Sequence, residues 1–339
     1  MGTLRVAIVS RLLLALVLAN RLYIFPVYHN SSVEVEGLSV PGNLDGFKMT
    51  TPANRSLFDF WYFDAFSRTT SVAINIVFFN TGDFAANPHS LMALVSGGAV
   101  ITNDEIGVTG NWLGSGASFH STSLEKSNVE YVIKLNSPNI GVRGTLKLKS
   151  RAPPYYPCNP NVGGLNTLLL PYLLVKLADG IGYYDKNWGD VSVITSPKYW
   201  DWGHARLGPY SLVWYDLLDY NDTEHVYAYI SKNGRFMHIN CAEKAVEVRQ
   251  WGPNATYPPT SGIAANEGLT ARFDLGGGQV FVANLTKEVT IHDQIVYARA
   301  LGSAYYPRLS CVECQKKRTR AADDYRYVLL VRPKPYGQS

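Results

Sequence analysis

The sequence predicts an all-β protein built of two modules, and three observations support that prediction. Strand-like runs of apolar and aromatic residues recur along the chain between clusters of Gly, Asn, Pro and Asp. Several runs alternate with a period of two, as Val129 to Leu135 does, which is typical of a half-buried strand. The chain has 339 residues, which is long enough for two β domains of ordinary size. We therefore expect two β-barrel or β-sandwich modules.

Strands are predicted in both halves of the chain. In the first half they cover Phe60 to Ser67, Ser71 to Phe79, His89 to Val95, Gly98 to Thr102, Val129 to Leu135 and Gly144 to Lys149. In the second half they cover Val191 to Thr195, Ser211 to Leu218, His225 to Lys232, Arg235 to Asn240, Ala245 to Gln250, Leu269 to Asp274, Val280 to Val289 and Tyr325 to Val331. One segment, Leu168 to Asp179, also suits a helix, although Pro171 argues against it.

A domain boundary is predicted in the middle of the chain. The stretch Arg151 to Pro157 is rich in proline, which supplies no backbone donor for a central strand. We place the division near Pro197, with Pro153 to Tyr199 as an inter-domain region. The predicted organisation is a signal peptide at residues 1–19, a β domain with the inter-domain region at 20–197, and a second β domain at 198–339.

The amino terminus has the pattern of a secretory signal. Arg5 and Arg11 precede the apolar run Leu12 to Ala19, which is too short to span a bilayer. We expect this segment to be cleaved, so that the mature chain enters the secretory pathway, extracellular or vesicular, without stable membrane insertion. An uncleaved anchor continuing to Val27 is the alternative.

Sequons and cysteines agree with secretion. Five Asn-X-Ser/Thr triplets, none with a central proline, predict N-linked glycans on Asn30, Asn54, Asn221, Asn254 and Asn284. The cysteine number is even, as an oxidising compartment favours. We expect two disulfide bridges, with Cys158 paired to Cys241 and Cys311 paired to Cys314. A redox pair or half of a zinc site is the weaker interpretation of the second pair.

Composition and missing motifs exclude several function classes. The net charge of +4 is small, and the one basic run, Lys316 to Arg320, sits beside Asp323 and Asp324, so we expect no nucleic-acid partner. The sequence contains no GxSxG elbow, no glycine-rich phosphate loop and no HExxH motif. The seven histidines are dispersed without metal-ligand spacing. We therefore expect no cofactor and no metal.

Two aromatic segments combine hydrogen-bonding groups with flat apolar surface. In the first, Phe58 to Ser67, a strand would place Tyr62 and Asp64 on one face and Trp61 on the other. The second runs from Gly180 to Gly189 and is followed by the strand-like run from Gly208 to Asp216. Its polar and aromatic members are Tyr183, Asp185, Lys186, Asn187, Trp188, Trp214 and Asp216. Both segments are also compatible with a purely structural role in a core.

Together the three sequence segments FWYFDAFS, GYYDKNWG and GPYSLVWYD resemble the fungal Diels–Alderases of lipocalin-like fold, which belong to a wider group with bacterial carotenoid hydratases. The resemblance implies two lipocalin-like β domains, a substrate pocket within and between them, no cofactor, and a role in fungal secondary-metabolite biosynthesis. Where hydratase relatives have a histidine before the Asn-Trp pair, this chain has Lys186, which argues against a hydratase.

The resemblance also implies that six residues line the pocket: Tyr62, Asp64, Asn187, Trp188, Trp214 and Asp216. As hydrogen-bond donors to a substrate carbonyl we expect Tyr62, Asn187 and Lys186. As further substrate-binding residues we expect Trp61, Asp64, Tyr183, Trp188, Trp214 and Asp216.

The predicted reaction is a cofactor-independent Diels–Alder or hetero-Diels–Alder cycloaddition on a hydrophobic polyene or quinone methide, including coupling of a tropolone quinone methide to a terpene. Such a reaction requires two π systems held in one orientation, and positioning removes about 7–11 kcal/mol of a bimolecular barrier in favourable cases. One alternative is an acid-catalysed isoprenoid hydratase or cyclase with Asp185 or Asp216 as proton donor. Another is a carrier that binds a lipophilic metabolite without changing it.

Overall fold

The computed structural model describes the strands of the chain and several of the turns between them. The described residues are 21–25, 58–67, 73–79, 92–96, 99–103, 108–112, 116–122, 129–137, 142–151, 173–177, 180–189, 197–253, 255–259, 266–294, 297–305 and 326–332. These residues form two sheets, and the change of sheet falls between Gly189 and Pro197.

The first sheet contains eleven strands. They are β1 Arg21–Phe25, β2 Phe58–Ser67, β3 Ala73–Phe79, β4 Met92–Ser96, β5 Ala99–Asn103, β6 Val108–Trp112, β7 Ala117–Thr122, β8 Glu130–Ser137, β9 Val142–Ser150, β10 Leu173–Leu177 and β11 Gly180–Gly189. Their spatial order is β1-β5-β6-β7-β8-β9-β10-β11-β2-β3-β4. Neighbouring strands are antiparallel except β3 and β4, which are parallel.

The second sheet contains nine strands. They are β12 Pro197–Leu207, β13 Tyr210–Asp219, β14 Glu224–Lys232, β15 Arg235–Asn240, β16 Val246–Trp251, β17 Gly268–Gly276, β18 Gln279–Gln294, β19 Tyr297–Tyr305 and β20 Arg326–Arg332. Their order is β15-β14-β13-β12-β20-β19-β18-β17-β16, and all the pairings are antiparallel. The sheet curls so that its last strand, β16, reaches β13. The backbone N–H of Val248 in β16 donates to the carboxyl of Asp216 in β13.

Each sheet encloses its own apolar core because its strands alternate. In β2, Trp61, Phe63 and Ala65 face the core of the first sheet, where they meet residues of β3, β6, β7, β8 and β11. The core of the second sheet is built in the same way from β12, β13, β14 and β16 to β19. The prediction of an all-β fold with two such modules is confirmed. Within the described ranges there is no helix long and apolar enough to cross a bilayer.

The interpretation of Leu168 to Asp179 as a helix is wrong for its described part. Leu173–Leu177 forms β10, whose Val175 pairs with Gly182 of β11 and with Ser150 of β9. An amphipathic helix would need a polar face toward solvent, which this apolar run lacks. A strand between two others instead forms backbone hydrogen bonds with both neighbours.

Several predicted features fall outside the described residues. They are the signal peptide at residues 1–19, the sequons at Asn30, Asn54 and Asn254, the strand Val191 to Thr195, and Cys158, Cys311 and Cys314. Cys241 is disulfide-bonded. Asn221 lies exposed in the turn after β13, whereas Asn284 is half-buried in β18 and accepts a hydrogen bond from Thr270.

Candidate functional site

The two sheets meet where β2 and β11 of the first pack against β12 and β13 of the second. The strands β12 and β13 are buried on both faces, one in the second core and the other against the first sheet. The polar and aromatic side chains at this contact are called the intersheet cluster here: Tyr62, Asp64, Tyr183, Asp185, Asn187, Trp202, His204 and Tyr215. All of them are buried, so their hydrogen bonds and charges act in a medium of low polarity.

The register of β2 and β11 places two identical Tyr-X-Asp motifs opposite each other. Tyr183 lies opposite Asp64, and Asp185 lies opposite Tyr62. Within β2 the Tyr62 hydroxyl donates to Oδ2 of Asp64 at 3.0 Å, and within β11 Tyr183 and Asp185 occupy the equivalent positions. Since residues two apart share a face, all four side chains point toward the second sheet.

His204 of β12 completes the contact from the second sheet. Its Nε2 lies 3.0 Å from Oδ2 of Asp64, and both side chains are almost fully buried. Burial raises the pKa of Asp64, and the neighbouring His204 opposes that shift. The Asp64 carboxyl therefore has two hydrogen-bond partners on one oxygen, Tyr62 from its own strand and His204 from the opposite sheet.

Asp185 has a different environment from Asp64. Burial raises its pKa well above the ordinary aspartate value; the neighbouring Tyr183 hydroxyl and the Asn187 amide lower it, and the charge of Asp64 raises it further. The Asn187 amide donates to Oδ1 of Asp185 at 2.6 Å. No described cation pairs with Asp185. A carboxyl in this position retains its proton at a pH where an exposed aspartate has lost it.

Three flat rings line the same contact. Tyr62 and Trp202 meet edge to face at 5.4 Å, and Tyr183 lies 5.6 Å from Trp202 at a tilt of 33°. Burial and the charges of Asp185 and Asp216 raise the pKa of the Tyr215 hydroxyl, so this group stays a donor. The cluster thus combines two carboxyls, several O–H donors and aromatic faces.

The structure separates the predicted site residues into groups. Tyr62, Asp64, Tyr183 and Asn187 come together in the intersheet cluster. Trp188 belongs to β11, but its side chain lies outside the described residues. Whether any of these residues binds substrate stays a prediction.

Two other predicted residues, Trp61 and Lys186, face the first core instead. The Lys186 Nζ lies 3.5 Å from the centroid of the Trp61 ring, and both side chains are fully buried. They occupy the opposite face because they alternate with Tyr62 and Asn187 along their strands. Lys186 therefore points away from the intersheet cluster, on the other side of its own strand.

Trp214 and Asp216 lie in the second module. Trp214 belongs to the second core, and its Nε1 donates to Asp201 at 3.5 Å. Asp216 accepts the Val248 N–H and an N–H of Arg249, both at 3.1 Å. Burial raises the pKa of Asp216 well above its ordinary value, the charge of Glu224 adds to the shift, and Arg249 opposes it. The two residues face away from the intersheet cluster, as alternation from Tyr215 requires.

Sequence reasoning missed His204, Trp202 and Tyr215 as members of the site. His204 is 140 positions from Asp64, so no local pattern joins them. An available signal was the run Tyr199 to His204, whose dense aromatic and polar residues are unusual for an exposed loop. Among the described residues no group of three or more His, Cys, Asp or Glu has the arrangement of a metal site.

Comparison with known proteins gives both sequence relatives and structural neighbours, while no family model matches the chain. The chain is 34% identical to the quinolone epoxide rearrangement protein penF of Penicillium thymicola, over 83% of this chain and 88% of the relative. It is 33% identical to the quinolone epoxide rearrangement protein asqO of Emericella nidulans, over 80% and 84% of the two chains.

Crystal structures of CghA share the fold. The structure with Sch210972 superposes with a TM-score of 0.68 over 92% of this chain and 98% of that chain, at 13% identity. A second CghA structure gives 0.62 over 94% and 100%, at 12% identity. The resemblance to a fungal lipocalin-like family is confirmed by these relationships together.

Proposed function

The chain belongs to the family of the fungal quinolone epoxide rearrangement proteins, and we propose that it catalyses the acid-induced rearrangement of an epoxide on a quinolone. At the coarser level the chain is an enzyme of secondary-metabolite rearrangement or cyclisation. The name of the relatives supplies the substrate class. The buried acid of this chain supplies the chemical step.

The observation that supports the proposal is the raised pKa of Asp185 at the contact of the two sheets. An epoxide opens when its oxygen is protonated as the C–O bond breaks, so the enzyme needs a proton donor that remains protonated at working pH. Asp185 meets this requirement because it is buried and has no described cation beside it. The Asn187 amide holds the carboxyl in place, and together with the neighbouring Tyr183 hydroxyl it stabilises the carboxylate that forms after the proton leaves.

The reaction balances without an outside reagent. Asp185 gives its proton to the epoxide oxygen, the C–O electron pair moves to that oxygen, and a cationic carbon remains. A group on the neighbouring carbon migrates with its electron pair, the hydroxyl becomes a carbonyl, and the proton returns to Asp185. The electron-rich faces of Tyr62, Tyr183 and Trp202 can stabilise the cation by about 0.5–2 kcal/mol.

The cycloaddition predicted from the sequence is the second candidate. It is supported by the three rings of the intersheet cluster, which could hold two π systems face to face. The two reactions differ in their dependence on an acid: positioning dominates a cycloaddition, and loss of one carboxyl proton would leave most of its rate. A hydratase would incorporate oxygen from labelled water, and a carrier would bind the compound and return it unchanged.

Asp185→Asn tests the proposal because asparagine keeps the shape and loses the acidic proton. We expect consumption of a quinolone epoxide to fall by about 10²–10⁴-fold, the usual contribution of a general acid. The matched control is Asp201→Asn, which alters an equally buried aspartate that faces the second core and hydrogen-bonds Tyr199. The control should turn over normally. An Asp185→Asn protein that is folded and as fast as wild type would overturn the proposal.

A further inference from the structure

We infer that His204 is the general base that determines which product the rearrangement forms. Asp64 determines which of the two ring nitrogens of His204 accepts the proton. The inference rests on the proposed function, since it assigns the fate of the cation that the Asp185 proton creates. His204 removes a proton from this cation, whereas Asp185 adds a proton to the epoxide oxygen.

The first observation is the second ring nitrogen of His204. Its Nδ1 is buried and has no hydrogen-bond partner among the described residues, while Nε2 is bound to Asp64. An unpaired polar atom in a buried site is destabilising, because it has lost its hydrogen bonds to water without replacing them. This nitrogen is therefore available to accept a C–H or O–H proton from a bound substrate.

Asp64 determines the state of that nitrogen. An ionised Asp64 accepts the Nε2–H of His204 and the hydroxyl of Tyr62 on the same oxygen, Oδ2. The neutral imidazole then has its proton on Nε2 and its lone pair on Nδ1. This is the arrangement in which a carboxylate orients a histidine as a general base.

The ring of His204 is also held in orientation by its neighbours. It stacks on Tyr183 with centroids 4.3 Å apart and planes within 10°. Phe66 and Trp202 lie further out, each 6.4 Å from the ring and nearly parallel to it. Because Tyr183 also contacts Asp185, the base and the acid share one neighbour and lie in one cluster.

Two fates are open to the cation once the epoxide has opened. If a substituent migrates and the hydroxyl loses its proton, the product is a carbonyl compound. If Nδ1 of His204 removes a proton from a carbon beside the cationic centre, the C–H pair forms a C=C bond and the hydroxyl remains, so the product is an unsaturated alcohol. Both products are isomers of the epoxide, and the proton on His204 returns through solvent to the Asp185 carboxylate.

His204→Gln tests the assignment, because glutamine can still donate to Asp64 and has no basic nitrogen. With a quinolone epoxide as substrate, the products of the epoxide that each protein consumes are compared. The ratio of unsaturated alcohol to carbonyl product should fall by about 10²-fold, the usual contribution of a general base. Deuterium on the carbon beside the epoxide should change the product ratio of the wild type and leave that of His204→Gln unchanged.

The control and a second variant separate chemistry from folding. His225→Gln removes a second His–Asp pair of the described residues, at 3.1 Å to Asp219 at the end of β13, and should keep the wild-type product ratio. Asp64→Leu keeps His204 but removes the acceptor of the Nε2 proton, so the lone pair is no longer fixed on Nδ1 and the ratio should fall as in His204→Gln.

An unchanged ratio in both variants, measured on the epoxide that each consumes, would overturn the inference. Failure of the proposed function itself looks different: wild type would then leave the epoxide intact, or Asp185→Asn would consume it at the normal rate.

Discussion

Tyr62 lies directly opposite Asp185 in the ladder between β2 and β11, yet its hydroxyl donates to Asp64 of its own strand. Asp185 accepts the side-chain amide N–H of Asn187 at 2.6 Å, also from its own strand. Each carboxyl therefore has its own donor, two residues away along the same strand. His204 opposes the effect of burial on the pKa of Asp64, whereas Asp185 lacks such a partner among the described residues. Two neighbouring acids can in this way hold different protonation states.

Removal of the Tyr62 hydroxyl should change the products more than the rate. Tyr62→Phe removes a hydrogen bond to the Asp64 carboxylate, which favours the neutral acid and weakens its hold on the His204 tautomer. We expect the share of unsaturated alcohol to fall about tenfold, since a hydrogen bond to a charged group contributes about 1.5–3 kcal/mol. Product analysis by chromatography measures this change.

Tyr199→Phe is the matched control for that variant. Tyr199 donates to Asp201, also at 3.0 Å, also two residues away, and also buried, but on the face of β12 that points into the second core. Both variants should lose about 1–3 kcal/mol of unfolding free energy in urea, because each leaves a buried carboxyl oxygen without its donor. Equal product shifts in the two variants would mean that the effect of Tyr62 comes from the fold alone.

The sequence predicted one face of the site and left the other undetected. Alternation along β2 correctly separates Tyr62 and Asp64 from Trp61, because a strand period of two is a local property. The same rule applied to β11 separates Lys186 from Asn187, but the sequence did not predict this segment as a strand. Alternation therefore identified the faces of β2 and not those of β11.

His204 required knowledge that local pattern does not contain. It enters the site through β12, which went unpredicted because polar residues interrupt its apolar pattern, as Asp201, His204 and Arg206 do. A strand buried on both faces loses the alternation that marks a half-buried one. The pairing of Asp64 with His204 then depends on how two separate sheets pack, which is fixed only in three dimensions.

Asp185→Asn should stabilise the protein at neutral pH while it impairs the reaction. The pKa of Asp185 is raised in the folded state, so between its ordinary value and the raised value the folded state binds more protons than the unfolded state. The free energy of unfolding therefore falls as pH rises through that window. The variant should lose this part of the pH dependence. Urea unfolding measured at intervals of about one pH unit, roughly from pH 4 to pH 7, would detect the loss. A variant less stable than wild type at every pH would contradict the expectation.

Arg249 should stabilise the second module through Asp216. Its guanidinium bonds the fully buried Asp216 at 3.1 Å and Glu224 at 2.9 Å, so Arg249→Met would leave a buried carboxylate without its cation. Because Arg249 is partly exposed, we expect a loss of about 2 kcal/mol, below the roughly 3–5 kcal/mol of a fully buried pair. Denaturant unfolding measures it.

Lys149→Met provides the comparison for the Arg249 variant. Lys149 and Glu130 form an ion pair at 2.8 Å whose two side chains are about half exposed. Exposed pairs of this kind contribute about 0–1 kcal/mol. If the two substitutions reduced stability equally, the burial of Asp216 would not be the cause of the difference expected here.

Gly182 should be required for the spacing between β2 and β11. A Cβ at this position would lie 2.8 Å from the backbone oxygen of Asp64 and 3.0 Å from Cδ2 of Leu148, both closer than packed atoms approach. Gly182→Ala therefore forces β11 away from β2 or displaces Leu148 in the first core, at about 1–3 kcal/mol. Since Asp64 and Tyr183 flank this point, the displacement should also lower turnover.

Gly276→Ala, in a turn where a Cβ would meet nothing within 4 Å but φ is +80°, should lose stability through backbone strain alone and leave turnover unchanged. Normal turnover and stability in Gly182→Ala would show that the two strands tolerate a wider separation than this contact implies.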